Sequence, residues 1–501
     1  MERSSYSLKK VVVIGAGIGG ISTAIRLTKK GYEVKVLEKS NFVGGKCRTV
    51  TYDGFTFDAG PSLLTIPAVF RDLFMKSGKR IELLLDLKPV DPAFEYRFAD
   101  GESIKFKNLS IRENANEIER VLGKKEGDAW HNLMQRAERM WDISRIPFIE
   151  SAFNIKSFIK SLSIEKILSI APFTSLDKYV ARFSKNPKIK NIVNRYATYS
   201  GSDPRKAPAA LLTIPFIESS FGAWHISGGL GKLSQALHAR ALDLGIEIKL
   251  NIEVEEILIW QGSVTGVTTK SGETLSADIV VANADASLVY EKLIKSSNRK
   301  LNSERKKIKK AVQSFSGFSI FLALDNSKVS NPPKLNHHTV FFPHQYEEEF
   351  VDLFDRGEPV KDPAIYICAP DDTEMRPSGN FEAWSILVNA PIHNPESGID
   401  WRRIESEYAQ KIIRKLDQLG LQVSERLLFM KFKSPADLEL ETSAPGGSIY
   451  GTSSNGVRAA FMRARNRSKI NGLFLVGGSA HPGGGLPLVG ISSEIVSDLI
   501  N

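Results

Sequence analysis

Residues 11–38 read VVVIGAGIGGISTAIRLTKKGYEVKVLE, residue types and spacings suited to holding a dinucleotide. An apolar strand from Val11 to Ile14 runs into Gly15, Ala16, Gly17, Ile18, Gly19 and Gly20. A helix follows, then a turn at Gly31, a second strand from Val34 to Leu37 and an acid, Glu38. Gly15 permits a tight turn, Gly17 lets backbone approach a pyrophosphate, and Gly20 lets helix and strand pack closely. The helix start offers free N–H groups to phosphate oxygens. A carboxylate at Glu38 can accept both ribose hydroxyls and would repel a 2′-phosphate, which disfavours an NADP-type ligand. A second glycine-rich turn closes the chain. Strand-like Gly472 to Gly478 leads into Ser479-Ala480-His481-Pro482-Gly483-Gly484-Gly485-Leu486-Pro487 and a helix from Val489 to Ile500. That turn leaves room for a flat cofactor and presents another helix N-terminus.

The elements that must position these groups follow from periodicity and turn chemistry. After Glu38 come Gly44-Gly45-Lys46-Cys47-Arg48, a strand pair around Thr49–Phe57, and Asp58-Ala59-Gly60-Pro61-Ser62. A basic side chain just after the Gly-Gly pair could place Arg48 on a pyrophosphate, a surface hairpin being the alternative. Gly228-Gly229-Leu230-Gly231-Lys232 opens a helix to Leu244, followed by strands at 246–250, 254–260, 264–269 and 279–282. Gln261-Gly262-Ser263 and Ser271-Gly272-Glu273 are hairpin turns. Further strands are expected at 318–324, 364–369 and 384–388. Within Ile146–Phe173, Ile155, Phe158, Ile159 and Leu162 recur at helical spacing with Lys156, Lys160 and Lys166 off that stripe. This pattern predicts an amphipathic, mildly basic helix able to lie in a membrane interface or face the core. His337, His338 and His344 lack partner acids at ligand spacing, so they read as a loop and no metal is expected.

The chain has 501 residues, 42% hydrophobic and 25% charged, which excludes disorder and membrane-span composition. Its net charge of +10 has no aromatic-and-basic nucleic-acid signature beside it, so an anionic membrane surface is the expected partner and nucleic acid is not, with plain solubility the alternative use of the charge. Cys47 and Cys368 form neither a disulfide framework nor a metal spacing, which suits a reducing cytoplasm. Cys47 is expected to pack, although the adjoining basic residues could activate it. The N-terminus reads as the first strand rather than a signal peptide.

Taken together, the two ends resemble the phytoene desaturase family of carotenoid desaturases, within the amine-oxidase-like flavoproteins. The resemblance runs through residues 15–67 and LFLVGGSAHPGGGLPLVGISSEIVSDLI at the end, with RYATYSGSDPRKAPAALLTIP, GAWHISGGLGKLSQAL and SADIVVANAD between them. HPGGGLP is its most specific piece, and Gly478-Ser479 stands where general FAD enzymes commonly carry Gly-Asp. The family implies an α/β fold. An FAD-binding, Rossmann-like domain of the glutathione-reductase type (1–75, 223–290 and 456–501) is interleaved with a substrate domain of mixed sheet and helices (76–222 and 291–455).

The resemblance further implies FAD contacts at Gly15 through Gly20, Glu38, Lys39, Gly45, Lys46, Arg48, Gly60, Pro61, Ser62, Val254, Gly478, Gly485, Leu486, Pro487 and Val489. It implies removal of hydrogens from adjacent carbons of a long isoprenoid, with hydride passing to the flavin. His481 is a candidate proton acceptor, with bracing of its turn the competing role. A second dinucleotide motif is missing, so a membrane quinone or dioxygen is the expected electron acceptor. Cytoplasmic location with peripheral membrane attachment follows. Within the family, GGSAHPGGGLPLV and EAWSILVNAP look closer to late-acting 3,4-desaturases of hydroxylated carotenoids or oxidases of shorter carotenoids. Alternatives are a redox-neutral carotene isomerase, an amine oxidase and a flavin-free escort of prenylated GTPases.

Overall fold

The computed structural model describes residues 8–152, 163–295, 301–456 and 459–501. Its first sheet has five parallel strands, in the order Leu473–Leu475, Ile279–Ala282, Lys10–Ile14, Glu33–Leu37 and Glu247–Lys249. The central strand is buried on both faces, as a parallel sheet requires. Its side chains alternate: Val11 and Val13 pack with Ile21, Ile25, Leu233 and Val496. Val12 and Ile14 turn the other way, onto Val254, Ile257 and Leu475. The first face carries the helices Ile18–Lys29, Gly231–Asp243 and Leu486–Leu499. The second carries the antiparallel meander of Val254–Trp260, Ser263–Thr269 and Thr274–Ser276.

The second sheet has seven strands, ordered Leu427–Lys433, Ser316–Asp325, Phe381–Ala390, Ile365–Cys368, His338–Phe341, Phe94–Arg97 and Ser103–Phe106. It is mixed, because His338–Phe341 and Phe94–Arg97 run parallel. Along its longest strand, Phe318, Ile320, Leu322 and Leu324 pack with Ile412 and Leu416 of the helix Trp401–Gln418. Phe321 and Ala323 meet Phe55 and Phe57 on the other side. A helical layer including Lys124–Ser144, Pro187–Thr198 and Thr213–Phe221 packs against Phe94, Tyr96 and Val340.

Expected and observed elements differ at particular points. The strand at 246–250 is cut to Glu247–Lys249, because Asn251 has φ +58° and donates its N–H to the Ser40 carbonyl. His338 is not in a loop: it opens a strand, pairs across to Cys368 and is fully buried. Cys47 is buried, and burial pushes its thiol up to about 12, so it packs rather than reacts. The stripe residues Ile155, Phe158, Ile159 and Leu162 lie outside the described residues. Among those described, no helix is long and apolar enough to cross a membrane.

Candidate flavin and substrate site

Local rules build the cradle at the carboxyl end of the parallel sheet. Gly15 takes φ +94° and turns the chain out of the first strand. A Cβ on Gly20 would lie 2.1 Å from the Gly15 carbonyl oxygen, so only glycine lets the helix start this close to the strand. A Cβ on Gly17 would meet the Asn283 side chain at 2.6 Å, and one on Gly477 would meet it at 2.5 Å. Asn283, at the end of the strand Ile279–Ala282, thus bridges the two glycine turns. Its Nδ2 donates to the Val476 carbonyl at 3.0 Å. Periodicity had no signal for this residue.

A cavity of about 560 Å³ opens onto this cradle. Of the expected contact residues, Gly15, Gly17, Ile18, Gly19, Glu38, Lys39, Gly45, Lys46, Arg48, Gly60, Pro61, Ser62 and Val254 line it. So do Gly478, Gly485, Leu486, Pro487 and Val489 from the C-terminal turn. Ala16, Gly20 and His481 are not in the lining. Ala16 instead donates its N–H to Glu38 Oε2 at 2.7 Å, and Ser40 donates to Oε1 at 2.9 Å. These two bonds fix the Glu38 carboxylate and leave it lone pairs for ribose hydroxyls.

The helices Ile18–Lys29 and Leu486–Leu499 start beside glycine caps, with no side-chain cap bond and no acid in the first turn. Their dipoles favour anions there. Lys46 adds positive charge from a half-buried position, bound to the Ser448 and Ile449 carbonyls at 3.0 and 2.8 Å, with desolvation lowering it to about 8. Arg48 lines the cavity but is tied to Glu441 at 2.6 Å and lies over the Phe42 ring, so a pyrophosphate would share it. Lys39 Nζ donates to Ser443 Oγ at 2.7 Å. Arg463 sits behind the second turn and donates to the Tyr450, Thr452 and Gly478 carbonyls. A bare glycine cradle, uncapped helix starts and a half-buried ammonium together suit a dinucleotide with an anionic pyrophosphate.

The same cavity continues into a wall of Phe94, Ile214, Ile217, Val340 and Leu387, with a polar group set in it. Tyr196 donates to Glu218 Oε1 at 2.5 Å, Tyr199 reaches Oε2 at 3.4 Å, and Arg195 Nη1 donates to the Tyr199 hydroxyl at 2.7 Å. The Arg195 guanidinium also lies over the rings of Phe94, Tyr199 and Tyr366. Tyr366 joins this group to the cradle through Ser62 at 2.8 Å, and on its other side meets His338 Nδ1 at 2.8 Å. Arg195, Tyr199 and Glu218 were missed because no local motif marks them; the Arg-Tyr-x-x-Tyr spacing was the available clue.

His481 is buried with its Nε2 3.0 Å from the Ser151 carbonyl and its ring edge-on to Phe148. Its own carbonyl accepts from Asn466 and Ser492, so its bonds brace the turn. Burial lowers its imidazole to about 4.

Residues 18–339 match the family model described as flavin containing amine oxidoreductase. A 4,4'-diapolycopene oxygenase of Methylomonas sp is 33% identical, covering 99% of this chain and 99% of that protein. A 1-hydroxycarotenoid 3,4-desaturase of Flavobacterium sp. (strain P99-3) is 32% identical over 98% of this chain and 99% of its own length. Among solved structures, putrescine oxidase bound to putrescine superposes with a TM-score of 0.65 at 14% identity over 98% of each chain, a likeness of fold alone. The cradle that suits FAD and these full-length similarities agree, and the chain belongs to the flavin containing amine oxidoreductase family, in the group that holds the carotenoid desaturases.

Proposed function

We propose that the protein is an FAD-dependent desaturase that introduces C=C bonds into an acyclic carotenoid. The observation that carries this reading is one continuous cavity, glycine-lined and electropositive at one end and walled by Phe94, Ile214, Ile217, Val340 and Leu387 at the other. Such a wall suits a hydrocarbon chain, whose burial is favourable by about 25 cal/mol per Å². FAD, when bound, supplies the hydride acceptor. Gly15, Gly17, Lys46 and Arg48 would hold its pyrophosphate, Glu38 its ribose, Val254 its adenine side, and Gly478 with Gly485 to Val489 its ribityl chain and ring. Full-length relatives that act on hydroxycarotenoids and on phytoene support the substrate class.

The partition into an FAD domain (1–75, 223–290, 456–501) and a substrate domain (76–222, 291–455) belongs to this reading. It is supported by the parallel sheet drawing its strands from the first set of segments and the mixed sheet from the second. Attachment to a membrane surface is supported by Ile146, Leu168 and Phe173, exposed at 65%, 61% and 76%. A quinone or dioxygen would then reoxidise the flavin.

Pigment chromatography from cells that accumulate phytoene, neurosporene, lycopene or their 1-hydroxylated forms tests the reading. The expected product has a longer conjugated system and two fewer hydrogens per step. A second reading, oxidation of a shorter carotenoid at its end, is favoured by the diapolycopene oxygenase similarity. It would show as a gain of oxygen mass instead. No new pigment from a flavin-loaded protein would remove both.

A further inference from the structure

Turning CH–CH into C=C releases a hydride and a proton, and a polyene has no group of its own to take the proton. Five carboxylates line the cavity: Glu38, Glu218, Glu253, Asp285 and Glu441. Glu38 is held by two backbone N–H groups at the ribose end. Glu253 pairs with Lys270, and Glu441 is tied to both Arg48 and Lys433. Asp285 caps a short helix through Ser287. Glu218 alone lies among Ile214, Ile217 and aromatic rings, 3% exposed, and it has no cation within 4.0 Å among the described residues.

We propose that Glu218 is the proton acceptor of the reaction, oriented by Tyr196 and Tyr199 and backed by Arg195. Oε1 is taken by the Tyr196 hydroxyl at 2.5 Å, whereas among the described residues Oε2 has only the 3.4 Å approach of Tyr199, and the residue lines the cavity. One C–H bond of the substrate gives up its hydrogen with the electron pair, as hydride, to the flavin. The neighbouring C–H bond gives its proton to Glu218, and the pair left behind becomes the new π bond. The carboxylate ends as a carboxylic acid and returns its proton to solvent before the next turnover. The inference rests on the desaturase reading.

Burial pushes the Glu218 carboxyl up to about 7, opposed by its bonds from Tyr196 and Tyr199 and by the Arg195 charge. A general base works best with a pKa near the operating pH. The titratable groups facing it are Arg195, Tyr196 and Tyr199 from the 187–199 region, and Tyr96 from the sheet, whose hydroxyl is 3.0 Å from that of Tyr196. The tyrosines are driven above their ordinary range, and Arg195 stays charged, so Glu218 is the one of these groups that changes charge near neutrality.

The test uses purified flavin-loaded enzyme and whichever of phytoene, neurosporene, lycopene or their 1-hydroxylated forms the wild type converts. Glu218→Gln keeps size and burial. It is expected to leave flavin content and carotenoid affinity, read from quenching of protein and flavin fluorescence, within threefold. It should lower kcat by roughly 10²–10⁴-fold and remove the acid limb of the kcat profile near neutral pH. Tyr196→Phe deletes a bond to the charged carboxylate and should move that limb to higher pH.

An E218Q enzyme with more than a third of wild-type kcat and an intact limb overturns the assignment. So does an unmoved limb in Y196F, the variant that decides if E218Q does not fold. Loss of flavin or of carotenoid binding in both variants would make the pair builders of the cavity instead. A wild type that converts none of these carotenoids overturns the desaturase reading itself, and the proton acceptor with it.

Discussion

At the scale of single residues, two side chains decide opposite kinds of question. Glu38 is fixed from one side by the Ala16 and Ser40 N–H groups, so its remaining lone pairs are pre-aimed. Hydrogen bonds to a charged group contribute roughly 1.5–3 kcal/mol. Glu38→Ala is therefore expected to weaken FAD binding by about 10–100-fold, measured by titrating apoprotein with FAD. Unchanged affinity would remove Glu38 from the site. His481 governs stability instead. Its imidazole is held neutral in the folded state at about 4, against the ordinary value of 6.5, so the unfolded chain binds its proton more readily. This contribution is fully present above the unfolded value and is lost as pH falls towards the folded one, roughly 3 kcal/mol in all. His481→Gln should flatten the fall in urea-unfolding free energy between neutral pH and about 5. An identical slope in both proteins would refute this.

At the scale of elements, the first strand–turn–helix was legible because its constraints are local. The apolar run, the spacing of Gly15, Gly17 and Gly20 and the acid at Glu38 all fall within one unit. A Cβ at Gly20 would sit 2.1 Å from backbone that cannot swing aside. Gly20→Ala gains about 1 kcal/mol of helix propensity but must push helix from strand, at roughly 1–3 kcal/mol or more. A lower melting midpoint together with lost flavin is expected, and a midpoint equal to the wild type would contradict the packing argument. Elsewhere pairing overrode local pattern. His337 and His338 carry no strand signature, yet cross-strand pairing with Cys368 gathers donor atoms of all three within 4.8 Å. No spacing along the chain could announce that.

At the scale of the whole molecule, the two sheets are tied through the cavity lining, where Ser62 from the N-terminal segment bonds Tyr366 of the mixed sheet. Ile146, Leu168 and Phe173 present apolar surface to solvent. If this surface meets lipid, the variant I146S/L168S/F173S should lower partitioning onto anionic vesicles by at least about 100-fold, since each buried apolar side chain is worth ~1.5–3 kcal/mol. Co-sedimentation measures this, and unchanged partitioning would move the attachment elsewhere.

The sequence by itself determined the dinucleotide end of this protein. Glycines at fixed offsets, a continuous apolar strand run and an acid at a strand end act over a few residues, so their physics is written in spacing. Only the tertiary structure decided the substrate end. Glu218, Arg195 and Tyr366 come from separate segments and meet through sheet order and helix packing. A buried carboxyl looks like any other Glu until the apolar walls around it are assembled, because its chemistry is set by desolvation, and desolvation is a property of the fold.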